Sequence, residues 1–235
     1  MSDSAASPVN RLLAGLPQAE REGLLAISKS VRCDLGEELC GFGQRIGHAY
    51  FPLDGFISLV APADEDARVE VGMIGAEGMF GLSLTMGVAI SFQKAVVQGA
   101  GEFLRVNARA LQGEMEAHPL LRQRICAYAY VVMTQLAQGA ACVRFHDVRQ
   151  RLARWLLMSE DRAHGRDVYL TQEFLAYMLG VRRVGVTHAA SELRALGLIQ
   201  YKRGRVQVLD RKRLESIACS CYRADLDTYQ RVLDR

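Results

Sequence analysis

Long apolar runs are missing from this chain of 235 residues: no stretch of eighteen or more residues is apolar throughout, so no segment reads as a transmembrane helix. The opening residues, MSDSAASPVN, lack the basic start and apolar stretch of a secretory signal, so the chain is expected to stay in the cytoplasm with no membrane partner. Histidine is scarce too. The five histidines, His48, His118, His146, His164 and His188, are scattered and form no HxH-plus-glutamate cluster, which argues against a metal-dependent enzyme built on a β-barrel. The six cysteines (33, 40, 126, 142, 219 and 221) include no CxxC pair, and in a reducing compartment they are expected to be mostly free thiols. Cys219 and Cys221 admit a redox switch or a soft metal site, but the neighbouring sequence offers no third ligand, and two small half-buried residues are the favoured reading. No metal and no cofactor is predicted.

What is present is enough for two domains. Half of the residues are hydrophobic, and the small net charge of +3 hides an asymmetry. Residues 1–146 carry 12 basic and 15 acidic side chains, whereas residues 147–235 carry 17 and 11. A polyanionic partner therefore belongs to the second half. The stretch TQEFLAYMLGVRRVGVTHAASEL, 171–193, supplies the reason. Thr171 is a good N-cap, Glu173 stands in the first turn, Phe174, Leu175, Met178 and Leu179 form an apolar face, and Gly180 ends the helix. A second helix starts near Arg183, with Val186, Ala189, Ala190 and Leu193 inward and Arg183, Val184, Thr187 and His188 outward. Two short helices around a glycine turn form a helix-turn-helix pattern. A strand-like run ending at Tyr201, the basic turn Lys202-Arg203-Gly204-Arg205 and a return strand Val206–Leu209 then add a wing. Between positions 182 and 213, nine lysines and arginines face two acids.

The first half has a different texture. Residues 11–30 read as two short helices broken at Pro17. Short alternating segments follow (31–35, 48–53, 56–61, 68–74, 92–98 and 102–106), separated by glycines and acids, which suggests a small jelly roll. Asn107 can cap a short helix, and 120–145 reads as one long helix. Its Leu121, Ile125, Tyr128, Val132 and Gln135, then the small residues Gly139, Ala140 and Cys142, form a narrow seam, read as a parallel dimer seam in preference to a core face. Asp147 can cap the next helix, carrying Val148, Leu152, Trp155 and Leu156. The division expected is a sensor at 1–118, a dimerisation helix at 119–146 and a DNA-binding unit at 147–235; the fold class is α+β, a jelly roll or double-stranded β-helix followed by a winged helix-turn-helix.

That order resembles the cyclic-AMP receptor protein and fumarate–nitrate reductase regulator (CRP/FNR) superfamily of bacterial transcription factors. The most specific segments are DVRQRLARWLL, LTQEFLAYMLGVRR and GLIQYKRGRVQVLD. The resemblance implies a homodimeric regulator that reads an inverted repeat in double-stranded DNA, leaves RNA polymerase open as a further partner, and implies no enzymatic activity. It places base contacts at Arg183, Val184, Thr187 and His188, and phosphate contacts at Thr171, Gln172, Arg182, Lys202, Arg203 and Arg205. In the sensor it places an effector pocket around Glu77, Phe80, Gly81, Gln93 and Lys94. Gln93 or Lys94 stands where cyclic-nucleotide-binding members carry a phosphate-binding arginine, so control is expected to come from an effector other than cyclic AMP or from a redox signal. The oxygen-sensing branch needs a cysteine cluster near the N-terminus, where only Cys33 and Cys40 lie, which argues against an iron–sulfur cluster. His48 is a haem-ligand candidate on position alone; a lone histidine before a strand is more often structural. The alternative function is a cyclic-nucleotide or other small-molecule-binding module whose winged helix contacts protein instead of DNA.

Overall fold

The structure, a computed structural model, describes residues 9–63, 68–163, 168–202 and 205–234. Two short helices, α1 (Arg11–Ala14) and α2 (Gln18–Ala26), lead in, as Pro17 between them predicts. Asn10 pins this segment. Its side chain caps Leu13 and its Nδ2 donates to the carbonyls of Pro52 and Gly78, so a buried amide has its polar atoms satisfied.

Seven strands follow: β1 (Ser28–Cys33), β2 (Glu38–Cys40), β3 (His48–Pro52), β4 (Phe56–Pro62), β5 (Arg68–Ile74), β6 (Lys94–Gly99) and β7 (Gly101–Asn107). They form two antiparallel sheets, ordered β1-β7-β3 and β2-β6-β4-β5, facing each other as a jelly roll. Phe51, Phe103, Ala95 and Val97 fill the space between the sheets with no exposure. The spacing of residues 31–107 predicts six of these strands; β2, three residues long with a register shift against β6, is the addition.

Strand β4 does not alternate, and the reason fixes the layout of the chain. Its burial is almost continuous. Ile57 points into the roll, while Phe56 and Val60, with Met73 from β5, join a second core built by the C-terminal half. The four-stranded sheet is thus covered on both faces, one by the opposing sheet and the other by helices.

Asn107 caps α3 (Ala108–Ala117) by accepting from the amides of Arg109 and Ala110. Helix α4 (Pro119–Phe145) then runs 27 residues, and among the described residues it alone has the length and mean hydropathy of a membrane span. Its two faces differ. Leu121, Ile125 and Tyr128 are buried in the core of the roll, whereas Tyr130 and Met133 are about two-thirds exposed. This corrects the expected dimer seam: the face through Leu121, Ile125 and Tyr128 is core, and the apolar stripe left open is Tyr130, Met133, Ala137 and Ala140, at spacings of three, four and three.

Helix α4 ends at His146, in extended geometry, and Asp147 opens α5 (Val148–Ala163) with a reciprocal capping box: its carboxylate accepts from the Gln150 amide while Gln150 Oε1 accepts from the Asp147 amide. Next come β8 (Val168–Tyr169), α6 (Gln172–Leu179), α7 (Arg183–Ala195), β9 (Ile199–Lys202) and β10 (Arg205–Val208), the strands ordered β8-β10-β9. Helices α8 (Arg211–Ile217) and α9 (Cys221–Leu233) complete the chain. The last is more than a tail. It lies along α4, with Tyr229 beside Tyr128 (ring centroids 6.4 Å apart), Arg124 donating to the Leu233 carbonyl, and Asp225 paired to Arg154 of α5 at 2.5 Å.

Candidate nucleic-acid interface

The helix-turn-helix is built by local signals. Thr171 Oγ1 accepts the Phe174 amide at 3.1 Å and starts α6. Gly180, at φ 61° and ψ 42°, ends it in the left-handed region, its own amide and that of Val181 closing onto carbonyls of the last turn. Helix α7 starts three residues later with no side-chain cap, so its first N–H groups and positive dipole end face outward, an arrangement suited to a phosphate. Val186, Ala189, Ala190 and Leu193 are buried and hold α7 against the rest of the unit.

The outward face carries the sequence candidates unevenly. Arg182 and Arg183 are exposed, and Val184 is 72% exposed, a large apolar side chain left in water beside two cations. His188 is exposed and its Nδ1 lies 3.2 Å from Glu192, which also pairs with Arg149. Thr187 is turned sideways: its hydroxyl reaches Gln172 Oε1 at 2.8 Å and the Arg183 carbonyl at 3.0 Å, so Thr187 and Gln172 tie α6 to α7. Arg205 is exposed on β10, opposite Lys202 on β9. Arg203 and the Lys202 side chain lie outside the described residues. The basic stretch is also less uniform than its composition suggests. Arg211 is committed inward, donating to Glu160, Asp161, Glu215 and the Tyr222 hydroxyl, where it fastens α8 to α5 and α9.

Residues 150–217 match the family model of the Crp-like helix-turn-helix domain. Solved structures agree on the fold. The c-di-GMP-responsive regulator CLP of Xanthomonas campestris superposes with a TM-score of 0.67 at 19% identity, over 83% of this chain and 100% of that one. FixK2 of Bradyrhizobium japonicum gives 0.69 at 15% identity, over 83% and 98%. A CRP-family regulator of Thermus thermophilus gives 0.67 at 21%, over 80% and 96%. No curated protein sequence matches the chain significantly. The C-terminal half carries a Crp-like helix-turn-helix domain.

A cavity of about 490 Å³ separates the four-stranded sheet from α4, α5 and α6. Phe80, Gly81 and Gln93 line it, as do Val71, Met79 and Leu136. Two residues expected there are elsewhere. Glu77 turns away to Arg162 of α5, accepting from Nη2 at 2.6 Å and from Nε at 2.8 Å. Lys94 is paired to Glu38 across β2 and β6 at 2.6 Å, which spends the cation that Gln93 does not replace. Cys33 and Cys40 lie buried in the roll, and burial pushes the Cys33 thiol up to about 11 and raises Cys40 as well, as for inert core thiols. His48 sits on β3 edge-on to Tyr50. Cys219 and Cys221 do have further ligand-type neighbours, Cys142 and His146, which the fold brings from the end of α4.

Sequence reasoning did not anticipate the two polar bridges that seat the C-terminal half on the sheet. One is Glu77–Arg162. The other is Glu70 on β5, whose carboxylate accepts from Trp155 Nε1 at 2.7 Å and from the Ser58 hydroxyl. Burial lifts the Glu70 carboxyl from its ordinary 4.5 to about 7, against those two hydrogen bonds and the nearby charges of Arg162 and Arg154. Because the folded value is raised, the folded chain binds the extra proton between these limits. The associated stability is complete below about pH 4.5 and is lost as pH rises through about 7. We expect urea unfolding to show up to about 3 kcal/mol of this loss, less where cavity water reaches the carboxylate, and Glu70→Gln to flatten that part of the profile. An unchanged profile in the variant would assign the slope to other groups.

Proposed function

We propose that the chain acts as a homodimer that reads an inverted repeat, with residues 1–118 as the sensor, 119–146 as the dimer element and 147–235 as the DNA reader. The observation that carries the reading is the outward face of α7, where Arg182, Arg183 and Val184 stand in solvent at the uncapped start of the helix. Arg183 has the fork geometry for guanine O6 and N7, and Val184 suits a thymine methyl. Arg182, Thr171 and Arg205, with Lys202 and Arg203 of the wing, are assigned to phosphates. Thr187 and Gln172 are assigned the supporting role of fixing α7 against α6, and His188 a contact at the edge of the face.

Two copies pair, in this reading, through the open stripe of α4, which sets the two recognition helices about 34 Å apart, in successive major grooves. An effector that enters the cavity between the sheet and α4–α6 would bias this arrangement through differential affinity for the two states. With Gln93 neutral and Lys94 engaged by Glu38, that effector is of a class other than cyclic AMP.

Selection from random DNA duplexes with the purified, reduced protein tests the reading, and an inverted repeat with half-sites one helical turn apart is the expected product. Arg183→Ala should relax preference at one position per half-site and cost roughly 1–3 kcal/mol per half-site, whereas Arg205→Ala should weaken all sequences alike. Untouched sequence preference in Arg183→Ala would misplace the reading face. Salt separates the protein-contacting alternative, since log affinity for DNA falls by about 0.9 per phosphate contact for each unit of log salt and a protein partner gives a shallower slope.

A further inference from the structure

The end of α4 and the junction between α8 and α9 converge on one point. Cys142 lies in the last turn of α4 and His146 is its C-cap, four residues on. Cys219 and Cys221 flank Ser220, the N-cap of α9, and Cys221 is the first residue of that helix. The ligand atoms of these four residues all lie within 4.8 Å of one another, the only such group of metal-ligand types among the described residues. Cys142 Sγ is 3.5 Å from Cys219 Sγ, and Cys221 Sγ is 3.5 Å from His146 Nδ1. The three cysteines form a small buried cluster of their own, exposed by 2, 3 and 0%.

These spacings fit one chemistry. A zinc-class ion holds thiolates at about 2.3 Å and imidazole at about 2.0–2.1 Å, so a tetrahedron around it has edges of about 3.8 Å between sulfurs and about 3.5 Å between sulfur and nitrogen. Three sulfurs and one nitrogen are a known structural donor set for that ion class. An iron–sulfur cluster would spread its four ligands around several metal atoms, wider than a group this tight allows. A Cys142–Cys219 disulfide would use two of the four and leave the convergence of Cys221 and His146 without a purpose.

The surroundings are those of a supported site. Gln138 Nε2 donates to Cys221 Sγ at 3.0 Å, an outer-shell hydrogen bond of the kind that stabilises a thiolate ligand. Three thiolates around a divalent ion leave one net negative charge, and the cations of Arg151 and Arg154 act on these sulfurs from α5. The large cavity reaches Cys142 and provides an entry path.

We propose that Cys142, His146, Cys219 and Cys221 form a closed tetrahedral site for one zinc-class divalent ion. Binding exchanges three thiol protons, released to solvent, for three sulfur–metal bonds, while His146 ligates as the neutral imidazole through Nδ1. The site straddles the break at His146 where α4 gives way to α5. It therefore clamps the end of the long helix to the α8–α9 junction and fixes the direction in which the winged domain leaves α4. That last consequence rests on the DNA-binding reading, whereas the site itself does not.

The test uses the full chain, reduced, stripped with a chelator and titrated with cobalt(II). One equivalent should bind, giving the d–d bands of tetrahedral cobalt and thiolate-to-cobalt charge transfer, and zinc(II) should displace it. Cys219→Ser and His146→Ala should each weaken binding by more than about 100-fold, since even outer-shell losses reach that range. His146→Cys should keep the ion with a spectrum shifted toward four thiolates, and Cys126→Ser, at an exposed cysteine, should change nothing. Zinc should also shield Cys142, Cys219 and Cys221 from alkylation while Cys126 reacts, a readout in the unmutated chain that needs no variant to fold. Absence of a tetrahedral cobalt spectrum in folded, reduced protein overturns the proposal, as does a spectrum indifferent to Cys219→Ser. A Cys142–Cys219 disulfide whose reduction restores no metal uptake overturns it in favour of a redox pair. DNA affinity measured on the same samples is a separate readout: loss of DNA binding with cobalt uptake intact counts against the DNA reading alone.

Discussion

Replacing Arg162 with methionine is expected to lower the unfolding free energy by about 3–5 kcal/mol, because it leaves the Glu77 carboxylate without its partner in the interior. Arg162 and Glu77 side chains are 8% and 15% exposed. Burial opposes the charged form of Arg162, but the facing carboxylate outweighs it and the guanidinium stays charged. Its other donor, Nη1, closes onto the Met158 carbonyl, so the group is satisfied. The cost lies in breaking the pair, not in lacking it: Glu77→Leu combined with Arg162→Met should recover most of the loss, since an apolar replacement of a whole buried pair is often neutral. Glu77 follows β5 and Arg162 lies in the last turn of α5, so the pair joins the jelly roll to the C-terminal half. The single variant should therefore unfold in two separated transitions in urea. A single transition shifted by under about 1 kcal/mol would mean that water already screens the pair.

Features written in adjacent residues were legible in the sequence. Asn107, Asp147, Thr171 and Gly180 each start or stop a helix by contacts within four residues, and each does so in the structure. Strand β5 spans the Arg68–Ile74 that its alternation predicts. The outward face of α7 follows from helical period alone, though not the sideways turn of Thr187, which depends on Gln172 fifteen residues away. Short strands paired at a bulge, such as β2, carry too few residues for a period to show.

Features made by distant residues were not legible. Glu77 and Arg162 are 85 positions apart, Cys142 and Cys219 are 77, and no spacing rule joins them. The assignment of Glu77 and Lys94 to the pocket failed for this reason, because each is captured by a partner that only the topology supplies. Helix α4 shows the limit of periodicity itself. It is apolar on two sides, so the pattern finds both faces without saying which one the roll and α9 cover.

The face of α4 left open carries the second large effect. Met133→Glu, on that stripe, is expected to turn the proposed dimer into monomers and to weaken binding to an inverted repeat by about 10²–10⁴-fold, because the second half-site is then no longer engaged intramolecularly. In a paired seam the substitution sets two acids against each other. In the isolated chain Met133 is 67% exposed, so stability should move by no more than about 0.5 kcal/mol, and affinity for a single half-site should be retained. Tyr128→Glu is the contrasting variant: Tyr128 is 1% exposed, and a carboxylate there should unfold the chain outright. Sedimentation of Met133→Glu decides between the two faces. A variant that remains dimeric places the seam off this stripe, and the spacing of the recognition helices, about 34 Å, would have to be set by another surface.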